Sequence, residues 1–416
     1  MSADQAGFRW SSIALPAYLP TLLYSAGEGA LVPLIPRFAS ELGSSLAVAG
    51  FIAGLLLIGT VIGDIPGGAL VARFGERNAM LGAALLTLVA MVVTIFAQSL
   101  WLLGVAVFAV GLATAVFALA RHAFLTTAVP LSHRARALST LGGVYRAGNF
   151  TGPLVAAALI PIVGDRAVVW FGCVVVMAVI GVLFVLPDLG QPPGHIARLR
   201  AEAAEHLTTG EFEVMMEQRG LLGSLWRFRF EYARVALGAG MLMALRTGRT
   251  VALPVWAVSI GMDSAQTALW IGVAALVDFA LFYPSGHIMD RWGRLWGALP
   301  SMAVMSAGFV TLALSRAWAE PAAWFVAVTL VLGLANGVSS GVILTLSSDL
   351  APRANPAPFL GGWRFTTDAC GALTPVVFSA VTATVSIAAA VATIGGLGLI
   401  GIGLLGYWLP RYRPGR

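Results

Sequence analysis

Acidic and basic side chains interrupt stretches that are otherwise apolar: Glu28, Asp64, Arg121, Arg146, Arg246, Arg249, Asp278, Arg364 and Asp368. Three kinds of chemistry are open to such groups. A carboxyl with no cation in its own segment, as at Glu28 between Gly27 and Gly29, suits the loading and unloading of a proton. Asp64 with Arg121 or Arg146 would either couple charge movement or only fix packing, and both readings stand. Arg246 and Arg249, three apart, share a helix face. With Asp278 as their acid they leave a positive surplus that an anionic group would relieve; alternatively Asp278 and Asp368 satisfy them and Arg364 with nothing left over.

The elements that position these groups follow from the solvent. The 416 residues are 58% hydrophobic and 11% charged, with a mean hydropathy of +0.87, whereas a soluble globular domain carries about a quarter charged residues. Lipid suits such a chain, and its apolar runs recur at roughly the 20 residues a helix needs to cross the hydrocarbon core. This predicts about twelve spans, over residues 12–38, 47–71, 79–98, 101–127, 138–162, 166–187, 234–259, 266–289, 297–315, 322–348, 360–384 and 387–409. The first is too long for a signal-peptide core and lacks a small-residue cleavage site, so it reads as a retained span. Residues 188–233 form a polar linker between an N-terminal bundle, 1–187, and a C-terminal bundle, 234–416. The stretch Leu225-Trp226-Arg227-Phe228-Arg229-Phe230 is an amphipathic approach to the seventh span. Cys173 and Cys370 lie inside apolar runs and read as small buried hydrophobes.

All 25 basic residues are Arg, and the net charge of +6 reads as a topological signal rather than a nucleic-acid one. Arg73, Arg77, Arg134, Arg136, Arg291, Arg294, Arg353, Arg411, Arg413 and Arg416 fall on one side, against Arg37, Arg166 and Arg316 on the other. The expectation is a multi-pass protein of a bacterial-type cell membrane with both termini cytoplasmic. There is no phosphate loop and no Lys to build one, and no His-Glu-x-x-His or paired Cys-x-x-Cys site. ATP drive within this chain, enzymatic chemistry, a bound metal and a cofactor are therefore not expected.

The chain also repeats itself. Pro66, Gly68, Arg73 and Gly75 recur in one constant register as Pro284, Gly286, Arg291 and Gly293, and Pro36, Gly43 and Gly54 as Pro254, Gly261 and Gly272. Two six-span halves of this kind suggest a transporter in which one half rocks against the other around a midplane site. The repeated loop resembles the signature of the major facilitator superfamily between its second and third and its eighth and ninth helices; length, span count and linker position extend the resemblance over essentially the whole chain. The second copy reads Gly286-x-x-x-Asp290-Arg291-x-Gly293-Arg294. The first holds Gly68, Arg73, Gly75 and Arg77 but has Ala72 where the family usually has an acid, which bears on its salt-bridge latch. Gly148-x-x-x-Gly152-Pro153 resembles a motif of proton-driven antiporters, with Ala156 and Ala157 where a glycine pair is usual; the same spacing is also a helix-packing motif. Val107 stands where many drug exporters of the family have an Arg in the fourth span.

The resemblance implies an all-α membrane protein: twelve transmembrane helices in two pseudo-symmetric six-helix bundles. In that family the third, sixth, ninth and twelfth helices are peripheral, and none of the charges named above falls in those spans. Glu28 is the expected proton carrier, with Asp64, Arg121 and Arg146 as a coupling network. These three lie about six to ten residues from the cytoplasmic ends of their spans, hence at about one level for a rise of about 1.5 Å per residue, with Glu28 higher. The expected substrate cavity comprises Arg246, Arg249, Asp278, Arg364, Asp368, Tyr24 and Trp363. Trp256, Phe282, Tyr283 and Phe365 are further aromatic candidates, although rings in spans more often pack or sit at the interface. His122 points about 100° away from Arg121, and His287 is structural. Asp349 is the expected gate partner of Arg291 or Arg294. The protein would then be a monomeric secondary transporter coupling proton movement to export of a small amphipathic compound. Uptake of an organic anion, translocation of a lipid or lysolipid, and a non-transporting scaffold or sensor are the alternatives.

Overall fold

The computed structural model describes residues 14–129, 131–185, 226–351 and 357–411. The linker up to residue 225, Arg353, Arg413 and Arg416 lie outside the described residues, as do the side chains of Arg134 and Asp290. In lipid every backbone N–H and C=O must be satisfied internally, and these apolar runs do so as helices. They are α1 (Leu19–Leu31), α2 (Leu46–Phe74), α3 (Glu76–Ile95), α4 (Leu100–Ala128), α5 (Leu131–Val163), α6 (Asp165–Val185), α7 (Leu237–Ser259), α8 (Ser264–Trp292), α9 (Arg294–Ser315), α10 (Pro321–Val338), α11 (Ala357–Thr384) and α12 (Ile387–Trp408). Among the described residues nine spans are long and apolar enough for a membrane crossing on length and composition alone. The other three are interrupted or carry paired charges. The first span runs through a 3₁₀ turn at Val32–Leu34 before resuming as Ile35–Glu41, α7 carries Arg246 and Arg249, and α11 carries Arg364 and Asp368.

The tenth span departs from the continuous helix expected over 322–348. α10 stops at Val338, Gly341 adopts φ +81°, and the chain resumes as Val342–Leu350. A left-handed residue is steric strain for any side chain with a Cβ, so Gly341 is what permits the break.

By internal contacts the chain divides into two compact units. One takes Met1–Gly43, Leu55–Ala201 and Asp263–Gly272; the other takes Ser44–Gly54, Glu202–Met262 and Val273–Arg416. Both α2 and α8 are thus shared between the units. Within the first unit, helices meet backbone to backbone. A Cβ on Gly152 of α5 would strike the Ala26 carbonyl and Ala30 amide of α1, and one on Gly148 would strike Ser25 and the Leu22 carbonyl. Pro153 also packs against α1, near Gly29. The Gly148-x-x-x-Gly152-Pro153 motif is therefore the seam that seats α1 on α5. In the same unit Gly111 of α4 meets the Leu56 carbonyl of α2.

Gly152→Leu is expected to cost at least about 1–3 kcal/mol through overpacking, read as a lower thermal midpoint of the purified protein. Gly142→Ala, where an added Cβ meets nothing within 4 Å, should leave the midpoint unchanged.

Candidate functional site: a buried acid in the first unit and a broken span in the second

The α1–α5 seam fixes where Glu28 points. One helical turn earlier, Tyr24 is 1% exposed and stacks on Phe117 of α4, with ring centroids 4.1 Å apart. Its hydroxyl lies 2.6 Å from Thr87 Oγ1 of α3 and 3.2 Å from Thr114 Oγ1 of α4. Residues four apart share a helix face, so Tyr24 pins the face that carries Glu28. Glu28 is 6% exposed, Arg121 of α4 is 9% exposed, and the carboxyl Oε2 and guanidinium Nε both lack a hydrogen-bond partner among the described residues. Thr114 and Arg121 are the polar neighbours of Glu28, and Arg121 is the cation whose charge acts on it. They form no direct ion pair; the Arg121 guanidinium lies over the Tyr145 ring of α5, 4.8 Å from its centroid.

The arrangement expected from depth alone is thereby altered. Arg121 belongs with Glu28, Tyr24 and Tyr145. Asp64 and Arg146 are half-buried and each is engaged in interactions of its own. Tyr24, expected in a substrate cavity, is instead a fully buried packing and hydrogen-bonding element. His122 is exposed beside the buried Arg121, as the 100° offset predicts.

The second unit assembles its own polar cluster. Arg249 Nη2 lies 3.4 Å from Asp278 Oδ2 of α8, and the same oxygen accepts a hydrogen bond from Asn336 Nδ2 of α10 at 2.8 Å. Arg246, on the same face of α7 as Arg249, donates to the Ser339 carbonyl at 2.7 Å and to Ser339 Oγ at 3.0 Å. Ser285 of α8 donates to the Ser340 carbonyl at 3.2 Å. At the break the helical hydrogen bonding gives way to a turn, with Val342 N–H on the Ser339 carbonyl at 3.2 Å, and charged and hydroxyl side chains add bonds to the Ser339 and Ser340 carbonyls. Gly337, pressed against the Asp278 backbone, holds α8 and α10 close enough for this. Arg364 pairs with Asp368 one turn along α11, at 3.3 Å. Trp363 is buried against Phe359, Trp256 is buried, and Tyr283 and Phe365 are exposed.

Sequence reasoning missed Thr114, Tyr145, Asn336 and Ser339. Gly337-Val338-Ser339-Ser340-Gly341 was the available signal for the break; no signal in a single sequence pairs Thr114 or Tyr145 with Glu28.

The two hinges differ. Gly75 and Gly293 both take positive φ, +81° and +89°, turning the chain between α2 and α3 and between α8 and α9. At the second, Arg294 Nε lies 2.9 Å from Asp349 Oδ2, and Arg291 lies over Trp292. At the first, Arg73 lies over Phe74, while Arg77 donates to the Leu183 and Phe184 carbonyls at 2.7 and 2.8 Å. Arg77 thus caps the C-terminus of α6 in a hinge that lacks the acid of its counterpart. Gly68 meets only Leu119 at van der Waals distance, and Gly286 has open space around it. Among the described residues no cluster of His, Cys, Asp and Glu could hold a metal, and Cys173 and Cys370 are free thiols.

Comparison with known proteins agrees with this architecture. The Major Facilitator Superfamily profile matches residues 18–355 and again 235–416; the chain belongs to that superfamily and is a multi-pass membrane protein of its type. An uncharacterized MFS-type transporter of Mycobacterium tuberculosis is 28% identical over 173 residues, 41% of this chain and a quarter (25%) of that protein's length. A second one from the same organism is 26% identical over 313 residues, 72% of this chain and 69% of that protein. The multidrug resistance protein MdtG of Citrobacter koseri is 26% identical over 166 residues, 38% of this chain and 39% of that protein. Among solved structures, a D-xylose-proton symporter shares the fold with a TM-score of 0.72 at 16% identity, covering 95% of this chain and 97% of that one. A peptide transporter POT bound to alafosfalin gives a TM-score of 0.76 at 16% identity, covering 98% and 96%.

Two outcomes follow from this geometry. In a cycle of Glu28→Gln, Arg121→Gln and the double variant, the stability changes should be non-additive by about 0.5–3 kcal/mol; additive losses would mean the two groups do not interact. The Arg294–Asp349 bridge is part-exposed, so Asp349→Asn should lower stability by no more than about 1 kcal/mol in a thermal melt.

Proposed function

We propose that the chain couples proton movement to the export of a small amphipathic compound by alternating access, with Glu28 as the proton carrier. The observation that carries this reading is a buried carboxyl with an unpartnered oxygen, beside a cation that does not close an ion pair with it. An acid held so can exist in either protonation state without collapsing its surroundings, because Thr114 and Tyr24 supply hydroxyls that reorient with the proton. The charge of Arg121 would make proton release sensitive to any movement of α4. Asp64 and Arg146 would extend this network toward the cytoplasmic end.

Partial similarity to the multidrug resistance protein MdtG favours export and an amphipathic substrate. In this reading the protein is a monomer in a bacterial cell membrane, uses no cofactor other than the proton, and keeps both termini in the cytoplasm. The two bundles, 1–187 and 234–416, would rock about the hinges at Gly68–Arg77 and Gly286–Arg294. The second hinge would latch through Arg294 and Asp349, and the first would depend on Arg77 at the end of α6. Arg246, Arg249, Asp278, Arg364 and Asp368 would face the transported compound, whereas Trp363, expected beside them, is buried against Phe359.

A second reading, uptake of an organic anion, draws on one observation: two guanidiniums share a face of α7, Arg249 set against the Asp278 carboxylate and Arg246 against the neutral Ser339.

Purified protein in liposomes, loaded with ethidium and given a proton gradient, tests the proposal. Wild type should move ethidium against its gradient with countermovement of protons, and Glu28→Gln should lose at least about ten-fold of that rate. Undiminished proton-driven transport by Glu28→Gln would remove the proton assignment. Proton movement with an organic anion, and none with ethidium, would favour the second reading.

A further inference from the structure

The second unit ends in a platform of stacked arginines and aromatic rings that the transport site does not use. Before α7 the chain makes a short turn, Arg229–Glu231, and a π-turn, Tyr232–Ala236; after α12 it makes a 3₁₀ turn, Leu409–Arg411. Arg234 joins the two places, its guanidinium lying 4.5 Å from the Trp408 ring centroid and 5.3 Å from that of Phe230. Arg229 lies between Trp226 and Phe230, at 4.7 and 4.6 Å. Arg411 covers Tyr407 at 4.0 Å, and Tyr407 meets Trp408 edge to face. The platform is rooted: Tyr232 donates to the Phe359 carbonyl at 3.0 Å, and Phe228 packs edge-on against Phe359.

Three features of this platform point to one partner. Arg229, Arg234 and Arg411 are exposed, and among the described residues none of them makes an ion pair; neither does Glu231, the acid in the same turn. Arg229 and Arg411 each give one Nη1 donor to a carbonyl of their own turn, those of Trp226 and Tyr407, which fixes the guanidinium over its ring and leaves its other N–H groups for planar recognition of a phosphate. The rings themselves are exposed, Trp226 by 72% and Phe230 by 54%, and amphipathic rings at the ends of spans sit at the level of lipid headgroups. A soluble phosphate would use the charges and leave these rings in water. We propose that the platform formed by Arg229, Arg234 and Arg411 with Trp226, Phe230, Tyr407 and Trp408 binds the phosphodiester headgroup of an anionic phospholipid. It is a lipid site distinct from the transport pathway, held at the joined ends of α7 and α12.

Native mass spectrometry of the full-length protein in detergent tests this, with phosphatidylglycerol, phosphatidylcholine and inorganic phosphate as separate probes. Wild type should retain phosphatidylglycerol over the other two. A surface Arg is worth about five-fold in affinity for an anionic lipid, so the variant R229Q/R234Q/R411Q should bind it at least about twenty-fold more weakly, and the matching Lys variant, which keeps charge but loses stacking, should fall between. Equal retention by the Gln variant, no preference over phosphatidylcholine, or competition by inorganic phosphate alone would overturn the proposal. Should the triple variant not fold, R229Q and R411Q are read singly, each expected to weaken retention at least about two-fold; no change in either overturns it.

Discussion

Everything in this protein answers to the cost of placing a charge where lipid is the solvent. A carboxylate or guanidinium at membrane depth must face a cavity, a partner or another polar group, and the most buried of these charges do so through helix packing. Glu28 stands beside Arg121 because Gly148 and Gly152 let α5 press against α1, and because Tyr24 fastens α1 to α3 and α4. Asp278 meets Arg249 and Asn336 because Gly337 lets α10 press against α8. Small residues at helix contacts are the means, and a placed charge is the result.

The two units solve this problem differently, although their sequences repeat. In the first, Glu28 and Arg121 are both buried without an ion pair, the guanidinium lying over the Tyr145 ring. In the second, one guanidinium meets a carboxylate and another meets the carbonyl and hydroxyl of Ser339 at the break. A group that must change its charge during a cycle needs the first kind of environment; a group that fixes structure or reads a substrate is served by the second. The hinges show the same divergence, since Arg294 latches onto Asp349 while Arg77 caps α6.

The sequence was legible where physics is one-dimensional. Apolar length located the spans to within a few residues, and the repeated Pro66–Gly75 and Pro284–Gly293 segments marked both hinges. Asp349 was paired with the second hinge through the family resemblance. What was not legible depends on which helix faces which. Depth along separate helices set Glu28 apart from Arg121, yet each lies within the field of the other's charge. The break at Ser339–Gly341 was hidden inside an apolar run, and its carbonyls became ligands for Arg246. Tyr24 resembled a cavity residue in its span and proved to be a core element, because Phe117, Thr87 and Thr114 come from helices that only the fold brings to it.

The central claim is that Glu28 holds and releases the proton, and infrared difference spectroscopy of the protein in lipid, recorded as pH is stepped, addresses it directly. The account predicts a protonated-carboxyl band that disappears on raising the pH, is absent in Glu28→Gln and shifts in Arg121→Gln. A titrating band of unchanged size in Glu28→Gln, or no titrating carboxyl band in the wild type, would contradict it.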